Sequence, residues 1–267
     1  VGRLVSKPPG VRAAGDDRRR SPARGALSLR AGAPGEAPAP TVGSASLEAF
    51  EPAARSEVVS RAFNVSVAVA ALVLVSPLML LTALLVKLTS RGPVLYTQTR
   101  VGIDRRWNRT RALHERRRED LGGTPFTIYK FRSMRADAEK DGVAVWATAN
   151  DDRVTAVGRL LRQTRLDELP QLFNVLRGDM NIVGPRPERP SIFVRLREQV
   201  DSYAVRQRVR PGITGLAQIS SSYDTNLDDV RRKVAFDVAY MQRQSLLTDI
   251  TIMLKTVPVM LFRIGGW

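Results

Sequence analysis

Between Ala62 and Val86 the chain carries no charged residue, and most positions in this stretch are apolar. Such a run is long enough to cross a bilayer as a helix. Two features complicate a simple crossing. Ser76-Pro77 sits near its middle, where proline removes a helical hydrogen bond and bends the chain. The nearest charges are basic on both sides, Arg55 and Arg61 before and Lys87 and Arg91 after. The positive-inside tendency then places both flanks in the cytoplasm. A kinked helix–turn–helix that enters one leaflet and returns satisfies both features, with Ser76 helping to satisfy the backbone groups freed by the kink. From these residues alone, the spanning and the re-entrant topologies both stay open.

After this segment the pattern changes to that of a water-exposed domain. Pro93–Gln98 and Pro125–Phe131 read as short strands that could pair as a hairpin. Between them, Asp104–Asp120 is a charge-dense insertion without apolar period, expected as a mobile loop or an exposed helix. Residues 152–163 fit a helix with Val154, Val157, Leu160 and Leu161 on one side and arginines largely on the other. Further helices are expected at about 168–177, 190–207, 226–243 and 246–263. The last contains Pro258 and is apolar on most sides; a buried core helix and a helix at the membrane interface both fit. Residues 1–55 are rich in Arg, Ala, Gly and Pro, too poor in large apolar side chains to offset chain entropy, and are expected to be disordered. The expected organisation is a tail over 1–55, a membrane hairpin over 56–90 and a cytosolic domain over 91–267, with 104–120 inserted in it. The fold class is α+β, mainly helical.

Charge narrows the partners. The formal net charge is +16, which implies an anionic partner: nucleic acid, an acidic membrane face or phosphorylated substrates. Aromatic residues are only 6% and form no platform among basic residues, which weakens a single-strand nucleic-acid reading. Without cysteine there are no disulfides or thiolate metal sites. The only histidine, His114, lies in a highly charged stretch, which argues against a histidine zinc site or a Ser-His-Asp triad.

The stretch richest in candidate chemistry is Thr164-Arg165-Leu166-Asp167-Glu168-Leu169-Pro170-Gln171-Leu172. Two adjacent carboxylates stand at the start of an expected helix. Asp167 suits an N-cap, Pro170 the first turn, and Gly178 the end. That is the ordinary reading. The alternative is chemical: a carboxylate held ionised beside a phosphate pocket is a nucleophile. The surroundings favour it. Arg159, Arg162 and Arg165 lie just upstream, with Gly184-Pro185-Arg186-Pro187 and Arg210-Pro211-Gly212-Ile213-Thr214-Gly215 downstream.

Taken in order, several pieces resemble the catalytic domain of the bacterial sugar transferases, the monotopic phosphoglycosyl transferases. They are Ser76-Pro77, Gly92-Pro93-Val94 with Gln98, Tyr129-Lys130-Phe131-Arg132-Ser133-Met134, Leu166–Leu176, Gly178-Asp179-Met180, Gly184–Pro187 and Val209–Gly215. The resemblance runs from about Arg61 to Phe262. It implies transfer of a sugar phosphate from a UDP-sugar to a polyprenyl (undecaprenyl) phosphate with release of UMP. Asp167 is then the nucleophile that carries a covalent glycosyl phosphate, and Glu168 the second catalytic member. Mg²⁺ is the implied cofactor, with Asp167 and Glu168 as its protein ligands. Mg²⁺ favours one or two carboxylates plus substrate phosphates and waters, so no dedicated cage need be visible. The implied fold is a re-entrant membrane helix and a small cytosolic domain with amphipathic interfacial helices, in one leaflet of the bacterial inner membrane and facing the cytoplasm.

Elementary electrostatics agrees, because phosphoryl transfer needs charge neutralisation and positioning. Arg162, five residues before Asp167, suits a bidentate phosphate clamp. Arg186, between two prolines, is rigidly presented. Lys130 and Arg132 alternate with aromatics on a strand and should share a face; Arg210 completes the phosphate-binding set. Two departures stand out. Many relatives carry an arginine after Gly-Ile-Thr-Gly where this chain has Ser222, and the 104–120 insertion exceeds the usual short connection. No multi-span region precedes the hairpin, so the compact form of the family is expected. A homo-oligomer is compatible with this reading. The competing expectation is a membrane-anchored basic module that binds nucleic acid or lipid headgroups without turnover. It gives no reason for the carboxylate pair or the Pro-Arg-Pro, so nucleic acid is not expected as a partner.

Overall fold

Helix α1 (Glu57–Thr89) carries the whole uncharged run and continues through Pro77. The computed structural model describes residues 40, 50–107, 120–138, 151–221 and 226–262. Most of the 1–55 tail, the centre of the 104–120 insertion with His114, and Ser222 lie outside the described residues. No turn separates two helices at Ser76-Pro77, contrary to the expected helix–turn–helix. One side chain accounts for this. Pro77 has no N–H for the carbonyl of Val73, four residues earlier, and Ser76 Oγ donates to that carbonyl at 3.0 Å.

Both ends of α1 dock on the rest of the chain. Near its start, Ser60, Asn64 and Ala68 are buried; near its end, Thr82 and Val86 are buried. Within each end they are four residues apart, and the step from Ala68 to Thr82 is close to four helical turns, so all lie along one face. Beyond α1 come the strands β1 (Leu95–Val101) and β2 (Pro125–Phe131), then α2 (Ala156–Thr164), a 3₁₀ turn (Leu166–Glu168) and α3 (Gln171–Arg177). Next are β3 (Asn181–Val183), α4 (Pro190–Gln199), a 3₁₀ segment (Tyr203–Arg208), β4 (Gly212–Thr214), α5 (Leu216–Ser220), α6 (Leu227–Arg243) and α7 (Leu246–Phe262). Arg61 donates both terminal nitrogens to Val175 O and Leu176 O, carbonyls in the last turn of α3. The buried Asn64 Oδ1 accepts from Ile182 N at 2.6 Å. At the other end Arg132 Nη2 donates to Ser90 O and Ser90 Oγ, both at 2.7 Å.

The expected hairpin is present: β1 and β2 pair antiparallel, with Tyr96 opposite Lys130 and Arg100 opposite Phe126. A second sheet, β3 parallel to β4, is too short to show a period. Its close backbone approach depends on glycine, since a Cβ on Gly212 would lie 2.1 Å from Gly184 N. The helix expected at 152–163 starts at Ala156, because Val154 bridges to Met134 and Thr155 N–H donates to Ser133 O. The one expected at 190–207 is split, since Ser202 takes φ 64° between α4 and the 3₁₀ segment.

Two apolar clusters hold the domain. The larger takes Ala68 from α1, Leu172 and Val175 from α3, Val183, Phe193, Val238 and Ile252. The smaller takes Val86 from α1, Phe131 and Leu161, with Leu166 and Leu169 packed against it. Leu166 and Leu169 thus anchor in one cluster and Leu172 in the other, which places Asp167 and Glu168 at the seam between them. Helix α7 buries Asp249 and Ile252 but leaves Leu247 75% and Leu254 68% exposed, so it is apolar on both faces.

Asn64→Leu removes the acceptor for the buried Ile182 N–H and should lower stability by about 1–3 kcal/mol. Thermal unfolding in detergent reads this; a melting temperature unchanged from wild type would show that α1 is not held by this bond.

Candidate active site

Arg165 starts the site by turning the chain. It adopts φ 58°, ψ 13°, the left-handed region, directly after α2. The 3₁₀ turn Leu166–Glu168 follows, and α3 begins only at Gln171, with Pro170 as its N-cap and no side-chain cap bond. Asp167 is therefore not the helix cap expected from sequence. At the far end Gly178 does close α3, at φ 89°, with its N–H bonded to Asn174 O and Val175 O.

Glu168 is the most heavily engaged side chain here. Lys130 Nζ donates to its Oε1 at 2.8 Å. Arg186 donates Nη2 to Oε1 at 2.7 Å and Nη1 to Oε2 at 3.3 Å. Burial alone would push this carboxyl up, but the charges of Arg186 and Lys130 and the Arg186 hydrogen bond hold it well below the usual range. Asp167 is as buried, at 7% exposure each, but differs in partners. Among the described residues no hydrogen bond to its carboxylate is present. Burial, then the Glu168 charge, push it up to about 6, against the pull of Lys130, Arg186 and Arg165.

The structure thus brings Asp167, Glu168, Lys130 and Arg186 together. The other expected members are placed elsewhere. Arg132 lies just past β2 and is engaged at the C-terminus of α1 through Ser90, so sharing a strand face with Lys130 does not give it the same partner. Arg210 Nε donates to Gly178 O at 3.2 Å, tying the end of α3 to the approach to β4. Arg162 is near Asp151, which Arg153 hydrogen bonds hold at about 2 with a smaller contribution from the Arg162 charge. Ser76 and Pro77 lie in the exposed middle of α1.

Two further cations enter the field of the carboxylates. Arg165 acts on both. Arg100, from β1, donates Nη1 to Pro187 O at 3.0 Å; burial lowers its pKa, Glu188 opposes this, and Arg186 adds to it. Its signal in the sequence is faint: it sits two residues after Gln98, on the same strand face. No group of three or more His, Cys, Asp or Glu that could hold a metal occurs among the described residues. Glu168 has both oxygens bonded to cations, so the carboxylate fitted to a divalent ion is Asp167. One carboxylate completed by ligand phosphates and water is within the habit of Mg²⁺. Among the described residues, the arrangement is a buried carboxylate without a hydrogen bond beside a cluster of cations, suited to attack on phosphorus.

Residues 55–263 match the family model described as bacterial sugar transferase. A UDP-N-acetylgalactosamine-undecaprenyl-phosphate N-acetylgalactosaminephosphotransferase from Aeromonas hydrophila is 42% identical over 78% of this chain and 45% of that protein. A UDP-glucose:undecaprenyl-phosphate glucose-1-phosphate transferase from Escherichia coli (strain K12) is 42% identical over 76% of this chain and 40% of its own. One of the same description from Caulobacter vibrioides is also 42% identical, over 75% of this chain and 69% of its own. The chain thus spans less than half the length of the first two relatives.

The raised pKa of Asp167 has a sign. A carboxyl whose folded pKa is about 6 contributes stability that is fully present below its unfolded value near 3.9. That stability is lost as pH rises through about 6. Asp167→Asn removes this loss, so the variant should gain on wild type with rising pH, by about 3 kcal/mol at most. Chemical unfolding of both proteins at pH 5 and pH 8 checks it; equal differences at the two pH values would contradict the assigned shift.

Proposed function

The chain belongs to the bacterial sugar transferase family, and on that premise we propose that it moves a sugar 1-phosphate from a UDP-sugar to polyprenyl phosphate, undecaprenyl phosphate in the relatives' names, releasing UMP. Relatives of equal identity are named for N-acetylgalactosamine and for glucose, so the donor proposed is the class of UDP-sugars. The observation that carries the reading is the pair of unlike carboxylates: Asp167, without a hydrogen-bond donor among the described residues, beside a Glu168 that holds Lys130 and Arg186 in place.

In this mechanism an oxygen of ionised Asp167 attacks the β-phosphorus of the UDP-sugar. The bond from that phosphorus to the bridging oxygen breaks, and UMP leaves with the oxygen. Asp167 then carries the sugar phosphate as a mixed anhydride. An oxygen of the polyprenyl phosphate attacks the same phosphorus, Asp167 departs as carboxylate, and a polyprenyl diphosphate sugar is formed. Lys130 and Arg186 bind the diphosphate oxygens and neutralise their charge in both steps. A carboxylate of higher pKa is also the better nucleophile once ionised. A Mg²⁺ held by Asp167 and the substrate phosphates would supply further charge neutralisation.

The seat of the enzyme in the bilayer is part of the proposal. Helix α1 is long and apolar enough to cross a membrane. Yet the stretch between its buried positions Ala68 and Thr82 is roughly 20 Å at the rise of an α-helix. That is shorter than the hydrocarbon core of about 30 Å. Both flanks are docked on one domain, through Arg61 and Asn64 at one end and Ser90 at the other. Together with a bend at Pro77, these features support entry into a single leaflet and return, with the exposed apolar face of α7 against the same membrane and the domain in the cytoplasm. Sugar and acceptor phosphates then meet at the headgroup plane.

Enzyme in nanodiscs, incubated with UDP-sugar alone, should show by mass spectrometry a phosphosugar adduct on Asp167. Asp167→Asn should lose UMP release by at least about a thousandfold. A fully active Asp167→Asn would sink the nucleophile assignment. The kcat/KM for UDP-sugar should climb as pH rises through about 6, where Asp167 ionises, and then level; a flat profile between pH 5 and 8 would argue against Asp167 as the ionising group.

A further inference from the structure

The Arg206–Asp237 ion pair takes no part in the chemistry above, yet it is 5% and 2% exposed. Nε donates to Asp237 Oδ2 at 2.6 Å and Nη1 to Tyr203 Oη at 2.6 Å. A buried pair returns in attraction about what desolvation removes, and well-packed apolar residues often replace one without loss of stability. Nη1 also lies 3.9 Å from Glu188 Oε1, and what the pair does is read from the last nitrogen. Nη2 of Arg206 reaches the main-chain carbonyl of Arg186 at 3.3 Å.

That carbonyl is one of four in a row, each held by a donor from outside the loop. Pro185 O accepts from Gly212 N at 2.9 Å and Glu188 O from Val101 N at 2.9 Å. Between them, Arg186 O accepts from Arg206 and Pro187 O from Arg100. The prolines at 185 and 187 explain the pattern. Neither has an N–H, so the loop is short of donors of its own and is gripped by its carbonyls. Two grips are main-chain bonds to β4 and β1; the two in the middle are guanidinium groups.

We infer that Arg206, fixed by Asp237 and Tyr203, is a positioning residue that sets the main chain of Arg186 so that its guanidinium meets Glu168 and the substrate diphosphate. Arg100 holds the next carbonyl in the same way. This rests on the site reading given under Proposed function. A guanidinium displaced by an ångström loses bidentate geometry, and displacements of that size cost on the order of a hundredfold in rate.

The test is a double-mutant cycle in the full chain in nanodiscs, with UDP-sugar and undecaprenyl phosphate. Arg206→Met with Asp237→Leu removes the pair and leaves an apolar contact. The combined variant should unfold near the wild-type temperature, lose about 10- to 100-fold in kcat/KM, and lose less than about twofold when Arg186→Ala is already present. The Val101 amide, bonded to Glu188 O, should exchange hydrogen faster as the loop loosens. Arg206→Lys keeps a charge beside Asp237 but cannot fork to Arg186 O; it should show the same non-additivity with a smaller loss, and it decides the matter if the double replacement does not fold. Equal losses in both backgrounds, or unchanged kcat/KM and Val101 exchange, overturn the inference. A fully active Arg186→Ala would instead overturn the site reading, and amide exchange would still decide whether Arg206 holds the loop.

Discussion

Glu168 is the carboxylate on which the site depends. Three separate parts of the chain meet on it: β2 through Lys130, the Pro-Arg-Pro loop through Arg186, and the turn that carries Asp167. Two cations brought this close would repel each other, and Lys130, the more buried of the two, would lose hydration. The carboxylate makes their company tolerable. An arriving diphosphate, in the proposed reaction, offers the same donors a second set of anionic oxygens, so the cations are already gathered before substrate arrives.

Adjacent residues acquire opposite characters because of the turn they occupy. In a 3₁₀ turn successive side chains point about a third of a circle apart. Glu168 can therefore face β2 and the loop while Asp167 does not share their hydrogen bonds. Burial acts on both carboxyls, but only one has direct partners to offset it. Such a divergence of environments separates a reacting group from a supporting one without any difference in chemical type.

Much of this was legible before the fold. The hairpin, α6, α7 and the C-terminal glycine of α3 follow from period and punctuation. The gathering of Asp167, Glu168, Lys130 and Arg186 was expected only through the family resemblance, and as part of a larger set from which Arg132, Arg162 and Arg210 stand apart. What was not legible has physical causes. Asp167 in front of an apolar run looks like a cap, and only the left-handed Arg165 moves the helix start to Gln171. The strands β3 and β4, Asn181–Val183 and Gly212–Thr214, are too short for any alternation to register. Arg132 and Lys130 share a strand period but not a partner, because α1 ends beside only one of them. Arg206 and Arg100 bind carbonyls, and no side-chain pattern encodes which main-chain oxygen a guanidinium will reach.

The bond from Ser76 to the carbonyl that Pro77 leaves bare makes those two positions a unit. Surrounded by hydrocarbon, a naked carbonyl costs several kcal/mol. Proline is therefore tolerable here while a hydroxyl stands directly before it, and the hydroxyl is redundant once another residue at 77 restores the amide. Alanine at 76 is thus harmful beside proline and tolerated once leucine stands at 77, a pairwise grammar that single-site substitution tables would miss.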